Sequence, residues 1–211
     1  MLVVCILIVF LLSVSYVSRG EGREHYEEMK GFLRDDVLKG RKGFTWRRIL
    51  LRCWRQPGKR FIVWWRIASC LFFQGGAMRR WVAYKINRML GIRYNTEIML
   101  GARIGGGFSI THYNGVVVSH NVVAGKNLTM RQNTTIGTKN NYGHRLIVLG
   151  SNVNIGANSC IVGDRLTIGD NVTIGAMSFI NKDIPSNCTV YTEKLSTIKI
   201  IGADFDRPSR R

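Results

Sequence analysis

Aliphatic and small residues recur every sixth position in four runs through the second half of the chain. Seven of these positions are followed at once by glycine. A period of six fits neither an amphipathic helix nor the simple alternation of a strand. It predicts a parallel β-helix in which each hexapeptide supplies one short strand and one corner. The thirteen repeat positions are Ile98, Ile104, Ile110, Val118, Ala124, Met130, Ile136, Leu149, Ile155, Ile161, Ile168, Ile174 and Ile180.

Stacking of coils explains why such a repeat is stable. One coil buries very little, whereas stacked coils align the aliphatic side chains in a continuous core. Gly, Asn and Asp suit the corners because they tolerate positive φ angles. Thirteen positions at three per coil give a little over four coils.

The segment before the repeats has helical patterning and a different charge. Residues 21–39 are rich in Glu and Lys, and a soluble helix is expected there. Basic, aromatic and aliphatic residues then interleave through 47–93. Breaks at 56–58 and 75–76 predict further helices at about 60–73 and 78–90.

The net charge of +18 is concentrated in this helical segment. Residues 1–94 carry 19 basic and 6 acidic side chains, and no acid lies between Val37 and Thr96. Amphipathic helices of this kind favour an anionic membrane surface. The alternative is that the helices pack on each other and on the first coil, with arginine outward. Nucleic acid is the least favoured partner because no recognised nucleic-acid motif accompanies the charge.

Residues 1–18 are almost wholly apolar. As a helix they would measure roughly 26 Å, close to the thickness of a bilayer core. The excess of Lys and Arg that follows predicts a cytoplasmic protein held at the inner face of the membrane. In the alternative, translation starts later and the segment is absent from the working protein. The expected organisation is an anchor (1–18), a basic helical region (19–94), a β-helix (95–190) and a tail (191–211).

The five cysteines form no metal-binding spacing, and their number is odd. Reduced cytosolic thiols are the simplest interpretation. Cys160 alternates with core positions, so a packing or surface role is expected rather than a nucleophilic one. We expect no metal site.

One stretch carries a resemblance to a known family. Residues 104–118 contain three consecutive glycines, then His112, then Gly115 followed by valines. Together with 152–164 and 168–184, this stretch resembles the hexapeptide-repeat acyltransferases and, within them, the serine acetyltransferase-like branch. The resemblance implies a left-handed β-helix, acetyl-CoA as acyl donor, and homotrimers with active sites between subunits. The handedness is unusual, because parallel crossovers are ordinarily right-handed.

The same resemblance assigns the catalytic residues. His112 occupies the position of the family's general base, and a neutral imidazole suits removal of a proton from an attacking alcohol. The family places an acid fifteen residues upstream, which is Glu97 in this chain, to orient the imidazole. The alternatives are a corner histidine that satisfies backbone groups and a simple exposed acid. His120 is expected to be a corner residue, and His25 carries no signal.

The polar loop before Leu146 corresponds to the family's acceptor-binding loop. There an arginine and then a histidine hold the amino-acid substrate. Arg145 takes the arginine position, whereas His144 lies two residues too early and Leu146 replaces the family histidine. This departure, and an amino terminus unlike that of serine acetyltransferases, count against serine as acceptor.

Acetyl-CoA is expected to lie in a groove between solenoids, along small residues of the coil backbone. Lys182 and Lys194 could meet its phosphates, or could simply be solvated. The small residues expected to line the groove are Gly156, Ala157, Gly175 and Ala176. For the glycines, corner geometry is an equal alternative.

The sequence therefore predicts an acetyl-CoA-dependent O-acetyltransferase at the membrane. Its expected acceptor is a sugar hydroxyl of a lipid-linked or surface polysaccharide precursor, and backbone amides are expected to stabilise the oxyanion. Serine O-acetylation for cysteine synthesis is the first alternative. A non-catalytic, membrane-associated solenoid scaffold is the second.

Overall fold

The computed structural model describes residues 22–40, 43–138 and 146–193. Helices come first and strands follow. Within the described residues, no helix combines the length and apolar character needed to cross a bilayer. The predicted anchor at 1–18 and the tail beyond residue 193 lie outside the described residues. The helices are α1 (Arg23–Leu38), α2 (Trp46–Arg55), α3 (Lys59–Phe73) and α4 (Ala77–Tyr94).

Fourteen short strands of the described residues form three parallel sheets, which we name A, B and C. Sheet A contains β1 (Thr96–Ile98), β4 (Val116–Val118), β7 (Thr135–Gly137), β10 (Cys160–Val162) and β13 (Phe179–Ile180). Sheet B contains β2 (Arg103–Ile104), β5 (Val122–Ala124), β8 (Leu146–Leu149) and β11 (Arg165–Ile168). Sheet C contains β3 (Ser109–Ile110), β6 (Thr129–Met130), β9 (Asn154–Ile155), β12 (Thr173–Ile174) and β14 (Thr189–Val190).

Each coil contributes one strand to each sheet, so the parallel solenoid is confirmed. The repeat positions stack in register; Ile98 pairs with Val118, which pairs with Ile136, and all three are buried. Four complete coils are followed by a partial fifth, in which Ile184 bridges to Ile168. The left-handed sense of winding stays a prediction.

Asparagine builds the corner between sheets B and C. Asn127, Asn152, Asn171 and Asn187 occupy equivalent places in successive coils, and all have φ near +60°. Each side-chain amide donates to the next carbonyl oxygen along the column, at 2.8–2.9 Å. The column explains why asparagine recurs there, because this backbone conformation disfavours most other residues.

The helical region covers the first coil, whose sheet edge would otherwise expose unpaired backbone groups. Trp65 on α3 donates its indole N–H to the carbonyl of Ile98 at 3.2 Å. Arg66 donates to the carbonyls of Ile104 and Gly105 at 2.5 and 2.7 Å, and to Asp36 of α1 at 2.8 Å. The buried Arg66–Asp36 pair therefore joins two helices to the solenoid.

The predicted helices are confirmed, with one boundary moved. The sequence predicts that the last helix ends near Leu90, but α4 continues to Tyr94. The extension beyond Gly91 brings the ring of Tyr94 against Phe61 and Tyr113, at 5.5 and 5.6 Å between ring centres. The helix stops at Asn95, which adopts the left-handed conformation with φ of 49°.

Candidate active site

His112 lies on an enlarged corner between sheets C and A. Five residues, 111–115, join the buried Ile110 to the buried Val116. Only three residues make the same connection in each of the next three coils: 131–133, 156–158 and 175–177. The two extra residues give the first corner the length to present an exposed His112.

Both ends of this corner are fixed by the coil ladder. The N–H of Thr111 donates to the carbonyl of Met130 at 3.0 Å, and the N–H of Gly115 donates to the carbonyl of Asn95 at 2.8 Å. Such anchoring on either side restricts the positions open to His112. A general base benefits from that restriction because proton transfer needs a defined geometry.

Tyr113 holds the middle of the corner against the helices. Its hydroxyl donates to the carbonyl of Gly58, and its ring packs on Phe61 at 5.0 Å and on Tyr94 at 5.6 Å. The hydroxyl of Thr96 donates to its carbonyl. Burial raises the pKa of the Tyr113 phenol well above its ordinary value, so it stays a neutral donor. Sequence reasoning missed this residue, although an aromatic next to the candidate base was a usable signal.

Replacing Gly115 with alanine is expected to distort this corner. Gly115 has φ of 71°, and an added Cβ would lie 2.2 Å from Oδ1 of Asn133. Strain in the left-handed region alone costs about 1–2 kcal/mol, so we expect at least that loss in the free energy of unfolding, measured with urea. Gly137→Ala is the matched control, since nothing lies within 4 Å of its added Cβ. Equal stability of the two variants would contradict the prediction.

Glu97 projects from the outer face of sheet A in the first coil. It pairs with Val117 through the strand ladder and is exposed, as His112 is. The His112 corner stacks on Asn95, two residues before Glu97, so the two candidates occupy adjacent coils on one side of the prism. Within the described part of the chain, neither takes part in an ion pair. Their pairing stays a prediction.

The predicted acetyl-CoA residues lie along the same edge, in the third and fourth coils. The N–H groups of Gly156 and Gly175 donate to carbonyls of the following coil at 2.8 Å. A Cβ on Gly156 would lie 2.4 Å from the nitrogen of Ala176, so coil stacking itself requires that glycine. Ala157 is half-buried and Ala176 is exposed, which leaves these two small side chains at the surface.

The acceptor-loop candidates His144 and Arg145 lie outside the described residues. The residues that flank this loop, Thr138 and Leu146, are at the edge between sheets A and B. His120 occupies a corner at that edge, as expected, and a Cβ added to Gly101 would lie 3.2 Å from its Cβ. Thr138 and Leu146 therefore lie across sheet A from His112.

The cysteines of the described residues are free thiols. Burial raises the pKa of Cys53 to about 11 and that of Cys70 to about 12. Burial also raises the pKa of Cys160. Because the thiolate is the nucleophilic form, these groups are poor candidates for covalent catalysis.

Two cavities in the described residues lie away from His112. One, of about 260 Å³, is between α1, α3 and sheet B. The other, of about 370 Å³, is at the edge between sheets B and C. Across residues 22–40, 43–138 and 146–193, no cluster of three potential ligands could hold a metal ion. His112 itself is exposed at the corner between sheets C and A and lines neither of these two cavities.

The geometry defines a hexapeptide-repeat parallel β-helix with an exposed histidine on an enlarged corner. Solved structures of serine acetyltransferases are similar to it. The native serine acetyltransferase 1 of Entamoeba histolytica has a TM-score of 0.64 at 26% identity, covering 78% of this chain and 63% of that one. The Brucella abortus enzyme has a TM-score of 0.67 at 27% identity, covering 81% of this chain and 69% of that one. The soybean enzyme complexed with serine has a TM-score of 0.67 at 25% identity, covering 79% of this chain and 68% of that one.

No protein-family model matches the chain, and no curated protein matches it. The structural likeness nevertheless extends beyond the repeats. The coils from Thr96 to Val190 make up less than half of the chain, so an alignment over 78% of it includes helical residues as well. The chain is therefore similar to serine acetyltransferases over its coils and over part of its helices. It spans just under two thirds of the Entamoeba enzyme's length.

Proposed function

We propose that this protein is an acetyl-CoA-dependent O-acetyltransferase in which His112 is the general base. The observation that carries the proposal is the shared edge of the prism. There an exposed histidine on an anchored corner lies in the same column of corners as Ala157 and Ala176, on a fold similar to serine acetyltransferases. The small side chains fit a thioester arm lying along the coils, since they let an extended chain approach the backbone.

His112 performs two proton transfers in this reaction. Acetyl-CoA supplies the acyl group as a thioester. The neutral imidazole removes the proton of the acceptor hydroxyl as its oxygen attacks the thioester carbonyl. The imidazolium then returns that proton to the departing sulfur, which leaves an ester and a free thiol. Glu97 is proposed to orient the ring and to stabilise its charged form.

Serine is the acceptor that the comparisons favour. The similar solved proteins are serine acetyltransferases, and two of them are complexed with serine. The alignments also reach into the helices, which weakens the expectation that this amino terminus is unlike theirs. A lipid-linked or polysaccharide hydroxyl has no support from these likenesses. We therefore favour serine, or a small hydroxyl compound close to it, over a sugar as the acceptor.

A second protomer is proposed to complete the site, in a homotrimer. The outer face of sheet A beside His112 carries the exposed apolar side chains of Met99, Val117 and Phe179. The outer face of sheet C instead carries serine, threonine and asparagine. Glu97 also lies on this face, but exposed apolar side chains such as these favour burial against another subunit. Contact there would bring a neighbouring chain next to the His112 corner.

The acceptor can be identified by measuring thiol release from acetyl-CoA with purified protein. We expect L-serine to accelerate release over the rate without acceptor, and simple sugars and nucleotide sugars to have no effect. His112→Ala protein serves as the blank for each compound. Acceleration by a sugar and not by serine would contradict serine as the acceptor and favour a sugar hydroxyl instead. No acceleration by any compound, relative to the blank, would contradict acetyl transfer itself.

A further inference from the structure

The outward faces of α2 and α4 combine exposed aromatic and aliphatic side chains with basic ones. Soluble proteins seldom expose such large side chains together. We propose that these two faces bind the surface of an anionic phospholipid bilayer. The proposal stands independently of the acetyl-transfer function.

α2 is fixed by one face and exposes the other. Ile49 and Cys53 are buried beneath the helix. The opposite side presents Leu50, Leu51 and Trp54, and Trp54 is 74% exposed. Arg47, Arg48 and Arg55 lie on the same exposed side. Since the buried face already attaches the helix, packing within the described chain does not account for the apolar residues opposite.

α4 repeats this arrangement over five turns. Ala83, Ile86 and Leu90 are buried. On the opposite side Met78, Trp81 and Ile92 are 69%, 58% and 78% exposed. The exposed basic residues of this helix are Arg80, Lys85, Arg88 and Arg93. Lys85 lies 5.5 Å from the ring centre of Trp81, as expected where a basic side chain borders an aromatic one.

The charge pattern selects the partner. No acid lies between Val37 and Thr96, a stretch that contains both helices. An anionic bilayer matches this because its headgroups attract Lys and Arg while its interface accepts Trp, Leu, Ile and Met. Nucleic acid would also attract the charge, but its phosphates give aliphatic side chains such as Ile92 and Leu51 nothing to bury against. The mixture of both kinds of side chain favours lipid.

The contribution of the basic residues to membrane binding can be tested by sedimentation of the full chain with vesicles. Phosphatidylglycerol–phosphatidylcholine vesicles are compared with phosphatidylcholine alone, at low and high salt. We expect binding to the anionic vesicles only, weakened by salt. A basic residue near such a surface contributes about fivefold in partitioning, so Arg55→Glu with Arg88→Glu should weaken binding by at least about 25-fold.

The matched control reverses two exposed charges on the solenoid, Arg165→Glu and Lys182→Glu. It makes the same change in net charge and should retain most of the binding. Equal loss in the two double variants, or equal binding to neutral vesicles, would overturn the proposal. So would competition by single-stranded or duplex oligonucleotides that removes the protein from anionic vesicles, because that result assigns the faces to nucleic acid.

Tryptophan fluorescence can distinguish membrane contact by the exposed faces of α2 and α4 from contact by the apolar segment at 1–18. Trp54 and Trp81 are the exposed tryptophans of the described residues, whereas Trp65 is fully buried. Brominated phosphatidylglycerol vesicles should quench the emission of the natural protein. Trp54→Phe with Trp81→Phe should lose most of that quenching, with an unchanged circular dichroism spectrum. Quenching that persists undiminished in this folded variant would overturn the assignment.

Discussion

His112→Ala should lower kcat for acetyl transfer by about 10²–10⁴-fold, the range expected for removal of a general base. His112 is exposed on a corner that is anchored at both ends, and no other described histidine lies on that edge of the prism. Its removal should leave the fold intact because the side chain is not part of the core. The measurement is the steady-state rate of thiol release with saturating acetyl-CoA and acceptor.

His120→Ala is the control for this experiment. His120 is also an exposed corner histidine, but it lies at the edge between sheets A and B. We expect it to retain most of the activity. If His112→Ala kept natural turnover, the residue would be a structural corner residue. If the natural protein turned over no acceptor either, the solenoid would be better explained as a scaffold.

The coils could be predicted from the sequence because their cause is periodic. Each repeat position must point inward and stack on an equivalent residue, so Ile98, Val118 and Ile136 identify one column before any coordinates are known. The same periodicity locates the His112 corner, where the spacing from Ile110 to Val118 is eight rather than six. The partial fifth coil has a weaker signal in the sequence, because Ile184 follows Ile180 by only four residues.

Contacts between distant segments could not be predicted in this way. A repeat fixes the edge on which a residue lies, but not which side chain it contacts. Asp35 and Asp36 are adjacent acids in the sequence, yet Asp36 alone is fully buried and accepts from Arg66 and from the N–H of Phe108. The sequence marks Tyr113 as an aromatic beside His112, but it does not show that Phe61 and Tyr94 of the helices pack against its ring. The same reason leaves the relation of Glu97 to His112 a prediction.

Arg66→Met should destabilise the fold by about 3–5 kcal/mol, the cost of removing one partner from a buried ion pair. The substitution leaves the carbonyls of Ile104 and Gly105 without this donor and Asp36 without its cation. The free energy of unfolding in urea at pH 7 measures the loss. The control is Arg34→Met, whose pair with Asp35 is partly exposed to solvent, at 49% and 32%, and should contribute about 1 kcal/mol or less.

The loss of stability in Arg66→Met should also depend on pH, and the titration of Asp36 determines the direction of that dependence. Burial raises the pKa of Asp36, and Arg66 is the main group opposing that rise. Without Arg66 the pKa of Asp36 rises further, so the folded variant holds a proton that the unfolded chain releases above pH 3.8. Stability of the variant then falls as pH increases. The difference from the natural protein should be larger at pH 8 than at pH 5. A difference that is constant with pH would show that the carboxyl group does not titrate in the folded variant.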